Sequence, residues 1–188
     1  MTIQFEYRED NAMAFENNRP ANFSDVALAG RDISARRAAT IANMVDEAAA
    51  RGLDDEFARA AIRRYGADNA RAMRAGMDDP DSFREFSERF GAGYGKQIYE
   101  NEVVERTEDR YVLDFHYCPY VAEWVRQGRK PEEISRLCSI AMEGDHEFAR
   151  QFPCLKFHLD QTIADGAPTC RLRFERVKEE NGGDSENK

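Results

Sequence analysis

All four cysteines (Cys118, Cys138, Cys154, Cys170) and all three histidines (His116, His146, His158) fall between residues 111 and 174. The residues before that stretch contain neither type. Thiols and imidazoles are the side chains from which a nucleophile, its base or a metal site is built, so the last third of the chain is where chemistry is expected. Two stretches there alternate with period two, YVLDFHYC and CLKFHLDQT. In the first, Tyr111, Leu113, Phe115 and Tyr117 share one face, and Val112, Asp114, His116 and Cys118 share the other. In the second, Leu155, Phe157 and Leu159 oppose Cys154, Lys156, His158 and Asp160. The polar faces therefore offer His116 with Cys118, and Cys154 with Lys156 and His158. A thiolate with a base in reach is one outcome of that pattern. Small buried thiols beside exposed histidines are the other. If the two strands are adjacent, Cys154, His158 and His116 also make a three-ligand set, which leaves a catalytic zinc open as an alternative to no cofactor at all. Asp145 and His146 lie side by side in MEGDHEF, about 100° apart on a helix, so only one of them faces a given substrate. Cys170 shares its face with Leu172 and Phe174, the position of a core thiol.

These residues need elements to hold them. Residues 25–51 carry an amphipathic stripe of Ile33, Arg37, Ile41, Met44, Val45 and Ala48, ended by Gly52. A second helix follows Asp54 and Asp55, with Phe57, Ala61, Ile62 and Tyr65 along one face; Gly66 ends or kinks it, or it runs on to Gly76. Asp79-Pro80 opens a third, shorter helix carrying Phe83, Phe86 and Phe90. The GAGYG run after it lacks the GK[ST] ending and the preceding strand of a phosphate loop, and reads as a joint. Strands over 98–106 and 111–118 form a hairpin. A short helix around 121–127 and a longer one from Pro131 to about 151 come next, then strands over 154–162 and 169–177. The fold class is α+β: an N-terminal helical segment followed by a ββααββ block with an antiparallel sheet. It divides into a helical part, 1–95, a mixed part carrying the site, 96–178, and a charged tail, 179–188, expected to be disordered, all within one compact domain. Residues 1–25 read as an arm that packs Phe5, Phe15 and Phe23 onto the body.

Composition narrows the function classes. A net charge of -9 on 188 residues excludes the basic footprint that nucleic acid or an anionic membrane requires. Arg63, Arg64, Arg71 and Arg74 read as a solvated helix face. No apolar run is long enough to span a bilayer, and the first residues lack a secretory pattern. A cytoplasmic protein with reduced thiols is expected, its partner a small-molecule substrate, with a homo-oligomer left open.

The order HYCPYVAEW, RLCSIAMEGDHEFARQF, TIADGAPTCRLRF resembles the L-2-amino-thiazoline-4-carboxylic acid hydrolase family. The matching positions are Cys118-Pro119, Cys138, Asp145, Thr162-Ile163-Ala164, Gly166 and Cys170. Many members read Cys-Asp-Phe at the end, where this chain has Cys170-Arg171-Leu172. The resemblance implies a hydrolase that opens a small heterocyclic or amidine-like C=N substrate, and it makes Cys170 a candidate catalytic residue. Cys118, assisted by His116 or His158, then attacks the C=N carbon while Asp145 manages the nitrogen's proton, or Asp145 and a histidine activate water directly. His146, Lys156 and Cys154 are the candidate substrate contacts, Lys156 for a carboxylate. The competing class is a non-catalytic, sensor-type small-molecule-binding α+β module.

Overall fold

A computed structural model of the chain describes residues 14–178; Phe5 and the tail of residues 179–188 lie outside that range. The first helix, α1 (Asp25–Ala50), starts where the Ser24 hydroxyl accepts the Ala27 N–H, and the chain leaves it through Gly52 at φ +70°. Its buried face is Ala27, Arg31, Ala38, Ile41, Ala42, Val45 and Ala48. That is one step round from the expected stripe, so Ile33 is 69% exposed. The small residues are inside because α1 lies close against a second helix, whose Trp124 indole donates to the Ala38 carbonyl at 3.0 Å.

Helix α2 (Glu56–Ala75) runs without a break through Gly66. A Cβ at Gly66 would lie 2.1 Å from the Gly144 carbonyl oxygen, so glycine there permits a backbone-to-backbone crossing with the helix that carries Asp145. Buried positions are Ala58, Ile62, Gly66 and Ala70, while Phe57 and Tyr65 are nearly half exposed. Of the four arginines, Arg63 pairs with Glu56 and Glu143, Arg71 with Asp68 and Arg74 with Asp81, which removes a basic patch.

Helix α3 (Phe83–Arg89) is capped by Ser82, three residues later than the Asp79-Pro80 start expected. Its phenylalanines seed an aromatic cluster: Phe86 meets Phe152 and Phe174 edge-on at 5.0 Å each. Each such pair contributes about 0.5–1.5 kcal/mol beyond area burial. The glycine run then enters α4 (Tyr94–Tyr99), which occupies residues read as the start of a strand.

Strand β1 (Asn101–Arg106) and β2 (Arg110–Phe115) form the expected hairpin, closed by Thr107 and Arg110. Three helices follow rather than two, α5 (Pro119–Arg126), α6 (Pro131–Ala141) and α7 (Glu143–Arg150), because the long helix expected after Pro131 breaks at Met142. Strand β3 (Leu155–Gln161), a 3₁₀ turn (Ile163–Asp165) and β4 (Cys170–Arg176) complete the chain. The sheet is antiparallel throughout, in the order β1-β2-β4-β3. The architecture is α+β, as the sequence indicated.

Two apolar clusters make the core. One joins α1, α2, α5 and α6 through Ile41, Val45, Ile62, Trp124, Ile134 and Ile140. The other joins α3, α7 and the sheet through Phe86, Phe152, Leu113, Leu172 and Phe174. Cys170 packs against both.

Candidate active site

A cavity of about 380 Å³ opens along the seam between the two clusters. Its walls come from α1 (Arg37), α2 (Tyr65, Gly66), the glycine run (Gly91, Gly95), α4 (Tyr99), the sheet (Phe115, Cys170) and α5 to α7 (Cys118, Tyr120, Cys138, Asp145). The glycine joint is therefore part of the site: Gly91 at φ +73° passes so close to Leu113 that a side chain would collide with it.

Cys118 lies beyond the end of β2, where Pro119 at the first position of α5 turns the chain into a helix. Strand parity thus stops applying at Phe115, and the thiol points into the cavity rather than joining His116. Burial raises the Cys118 pKa, the N–H groups of Val121 and Tyr120 in the first turn of α5 oppose that, and the nearby Asp145 adds to it. The Cys118 backbone is held at both ends by one side chain from the N-terminal arm. Its N–H donates to Asn18 Oδ1 at 2.8 Å, and its carbonyl accepts from Asn18 Nδ2 at 3.0 Å. Phe15, buried in the first cluster, anchors that arm, whereas Phe23 stays 65% exposed.

Asp145 sits on α7 one residue after the Gly66–Gly144 crossing, which aims it into the cavity. Burial lifts its carboxyl to about 6, against a smaller downward pull from Arg37. Cys170 accepts the Ile163 N–H at 3.3 Å, and burial raises its pKa strongly. The turn that presents it is tightly tied: Thr162 accepts the Asp165 N–H and donates to Asp165 Oδ2 at 2.6 Å, and Gly166 takes φ +86°. Cys138 on α6 is raised in the same way, chiefly by burial. Tyr99 and Tyr120 are also raised mainly by burial, Tyr120 to about 12, so both phenols keep their protons.

The remaining sequence candidates lie elsewhere. His116 is exposed and meets Glu102 at 3.1 Å. His158, Lys156 and Asp160 project from the opposite face of the sheet, where Arg173 grips Asp160 through two 2.9 Å contacts and His158 Nε2 stands 3.6 Å from Glu175. His146 packs edge-on against Phe157 at 5.1 Å, its pKa lowered first by burial. Cys154 packs against the second cluster. The polar-face pocket inferred from alternation is not formed, because β4 separates β2 from β3 and fills that face with paired arginines. The same separation removes the Cys154, His158, His116 zinc set, and among the described residues no three His, Cys, Asp or Glu side chains cluster to hold a metal ion. Arg171, where many family members have aspartate, grips Asp114 on the neighbouring strand through two 2.7 Å bonds.

Among the cavity residues that the sequence did not mark as site residues are Arg37, Tyr65, Tyr99, Tyr120 and Cys138. Arg37 had a signal, being the charged member of an otherwise apolar stripe. A second, open groove of about 450 Å³ beside α1 has only Glu47 and Arg51 as charged lining, and these pair with each other.

A family model for L-2-amino-thiazoline-4-carboxylic acid hydrolase matches residues 33–174, spanning the helical part as well as the sheet. The chain belongs to this family. Neither curated proteins nor solved structures gave a match. Four of the positions that carried the resemblance, Cys118, Cys138, Asp145 and Cys170, line this cavity. Membership makes a hydrolase of the thiazoline type the expectation for the chain. No helix among the described residues is long and apolar enough to cross a membrane.

Proposed function

We propose that the protein is a hydrolase that opens a small cyclic substrate with an amidine-like C=N bond, such as a 2-aminothiazoline carboxylate, with Cys118 as nucleophile and Asp145 as the proton carrier. The observation that supports it is the shared cavity of a thiol at a helix N-terminus and a buried carboxyl lifted into the range useful for acid–base work. The Cys118 thiol gives its proton to the Asp145 carboxylate as sulfur bonds to the amidine carbon. The C=N electron pair moves to nitrogen, which takes that proton. Collapse of the adduct re-forms C=N from the nitrogen lone pair as the ring carbon–sulfur bond breaks and the ring sulfur departs with the nitrogen's proton. Water then adds to the same carbon with Asp145 accepting its proton, and the carbon–Cys118 bond breaks as Asp145 returns that proton to the Cys118 sulfur. Tyr99 and Tyr120 supply donors to the polar atoms of the adduct. With no histidine in the cavity, the base falls to Asp145 alone.

A direct attack by Asp145-activated water is the second reading, favoured by the upward shift of the Cys118 pKa. Turnover of the thiazoline carboxylate by Cys118→Ala and Cys118→Ser separates the two. The covalent route predicts a loss of at least about 10³-fold in both variants. Near-normal turnover in both establishes the water route, and ligand bound unchanged by the native protein would instead make it a binding module.

A further inference from the structure

Arg37 is one half of the only pair of charged residues lining the cavity among the described residues; Asp145 is the other. Its neighbour Arg36 pairs with Asp32 on the outside of α1 at 2.8 Å. Arg37 turns inward. Its guanidinium carbon lies 4.0 Å over the centre of the Tyr65 ring, a cation–π contact that occupies none of its N–H donors, and among the described residues these have no hydrogen-bond acceptor. Those donors meet no carboxylate or carbonyl: among the described residues the stacking on Tyr65 is the contact Arg37 makes, and Asp145 feels its charge without touching it. Other half-buried arginines here are engaged, Arg59 with Asp55 and Glu143, and Arg173 with Asp160 and Glu175. The helix around Arg37 is fixed in place by the Trp124 bond to the carbonyl of the next residue, Ala38. A pre-oriented, unpaired fork beside an unpaired carboxyl is the arrangement a small zwitterion requires.

We propose that Arg37 is the specificity-determining anion contact of this cavity, binding a planar monoanionic carboxylate on a ligand whose basic nitrogen faces Asp145. A single guanidinium beside a carboxyl suits a carboxylate better than a phosphate dianion, which would face Asp145 with one charge uncompensated. This places the carboxylate contact on α1 instead of at Lys156, which projects from the far face of the sheet. The inference rests on the cavity being the substrate site, and its test is independent of turnover.

Thiazolidine-4-carboxylate and its carboxamide lack the C=N bond and serve as non-reacting probes, titrated calorimetrically into the native protein, Arg37→Met and Arg37→Lys. The native protein is expected to prefer the acid by about 10- to 100-fold, the range of a charge-assisted hydrogen-bonded contact. Arg37→Met loses that preference and Arg37→Lys keeps part of it, with affinity for the amide little changed in both. Should Arg37→Met fail to fold, a reduced acid preference in Arg37→Lys carries the result. Full acid preference in either variant, or none in the native protein, overturns the proposal. Acid preference without turnover of the thiazoline carboxylate would leave Arg37 as the anion contact and remove the hydrolase reading.

Discussion

The two faces of the sheet hold similar residue types and put them to opposite uses. On the outer face, Asp114 and Arg171, then Asp160, Arg173 and Glu175, cross-link neighbouring strands, with His158 and Lys156 among them. Charges there are matched by opposite charges on the same or the neighbouring strand, which holds register, and the bond from Arg173 lowers the Asp160 pKa. On the inner face, Cys170 and the nearby Cys118 and Asp145 sit under helices, and burial moves all three pKa values upward. Burial, and not residue type alone, separates the cavity groups from similar groups on the outer face.

Breaking the inner face should have the largest effect after loss of Cys118 itself. Asp145→Asn is expected to lower turnover by about 10²–10⁴-fold, and the native rate should rise with pH through about 6 as the carboxyl ionises. A flat profile in stopped-flow assays would remove Asp145 from the proton path. Stability should move the other way. The unfolded chain releases this proton near its ordinary value while the folded protein holds it to about 6, so stability falls between those two pH values by roughly 2–3 kcal/mol. Asp145→Asn should therefore melt higher than the native protein at pH 7 and alike near pH 3.

Gly66→Ala tests the crossing that aims Asp145. With 2.1 Å to the Gly144 oxygen, the helices must part, at a cost of about 1–3 kcal/mol in urea unfolding and a drop in turnover. Unchanged values in both would mean that the crossing yields freely. Asn18→Ala removes two bonds to the Cys118 backbone and should cost about 1–3 kcal/mol; Asn18→Asp, which retains only the acceptor, should fall between. Because Asn18 acts through Cys118, the rate of thiol alkylation should change along with stability.

The smallest effects belong to the outer face. His158→Gln and His116→Gln should each shift stability by no more than about 0.5 kcal/mol and leave turnover intact. A loss of activity in either variant would return the histidines to the site and erase the contrast between the faces.

Much of the frame was legible because it follows local rules. Gly52 ends α1, Pro119 and Pro131 open helices, and alternation marks the strands. The part of the site read from motif order, Cys118, Asp145 and Cys170, does line one cavity. The part read from parity did not carry over, since parity gives a face but neither the neighbouring strand nor what covers it. Insertion of β4 between β2 and β3 is a long-range pairing that no window of sequence contains.

By itself, then, the sequence determined the α+β frame and the confinement of thiols and imidazoles to the last third, because composition, periodicity, proline and capping are read over a few residues. Only the tertiary structure decided which of those groups lost water together. Arg37, Tyr99, Cys118 and Asp145 come from four separate elements, and the burial that raises the pKa values of Tyr99, Cys118 and Asp145 belongs to the packed molecule and to no segment of it.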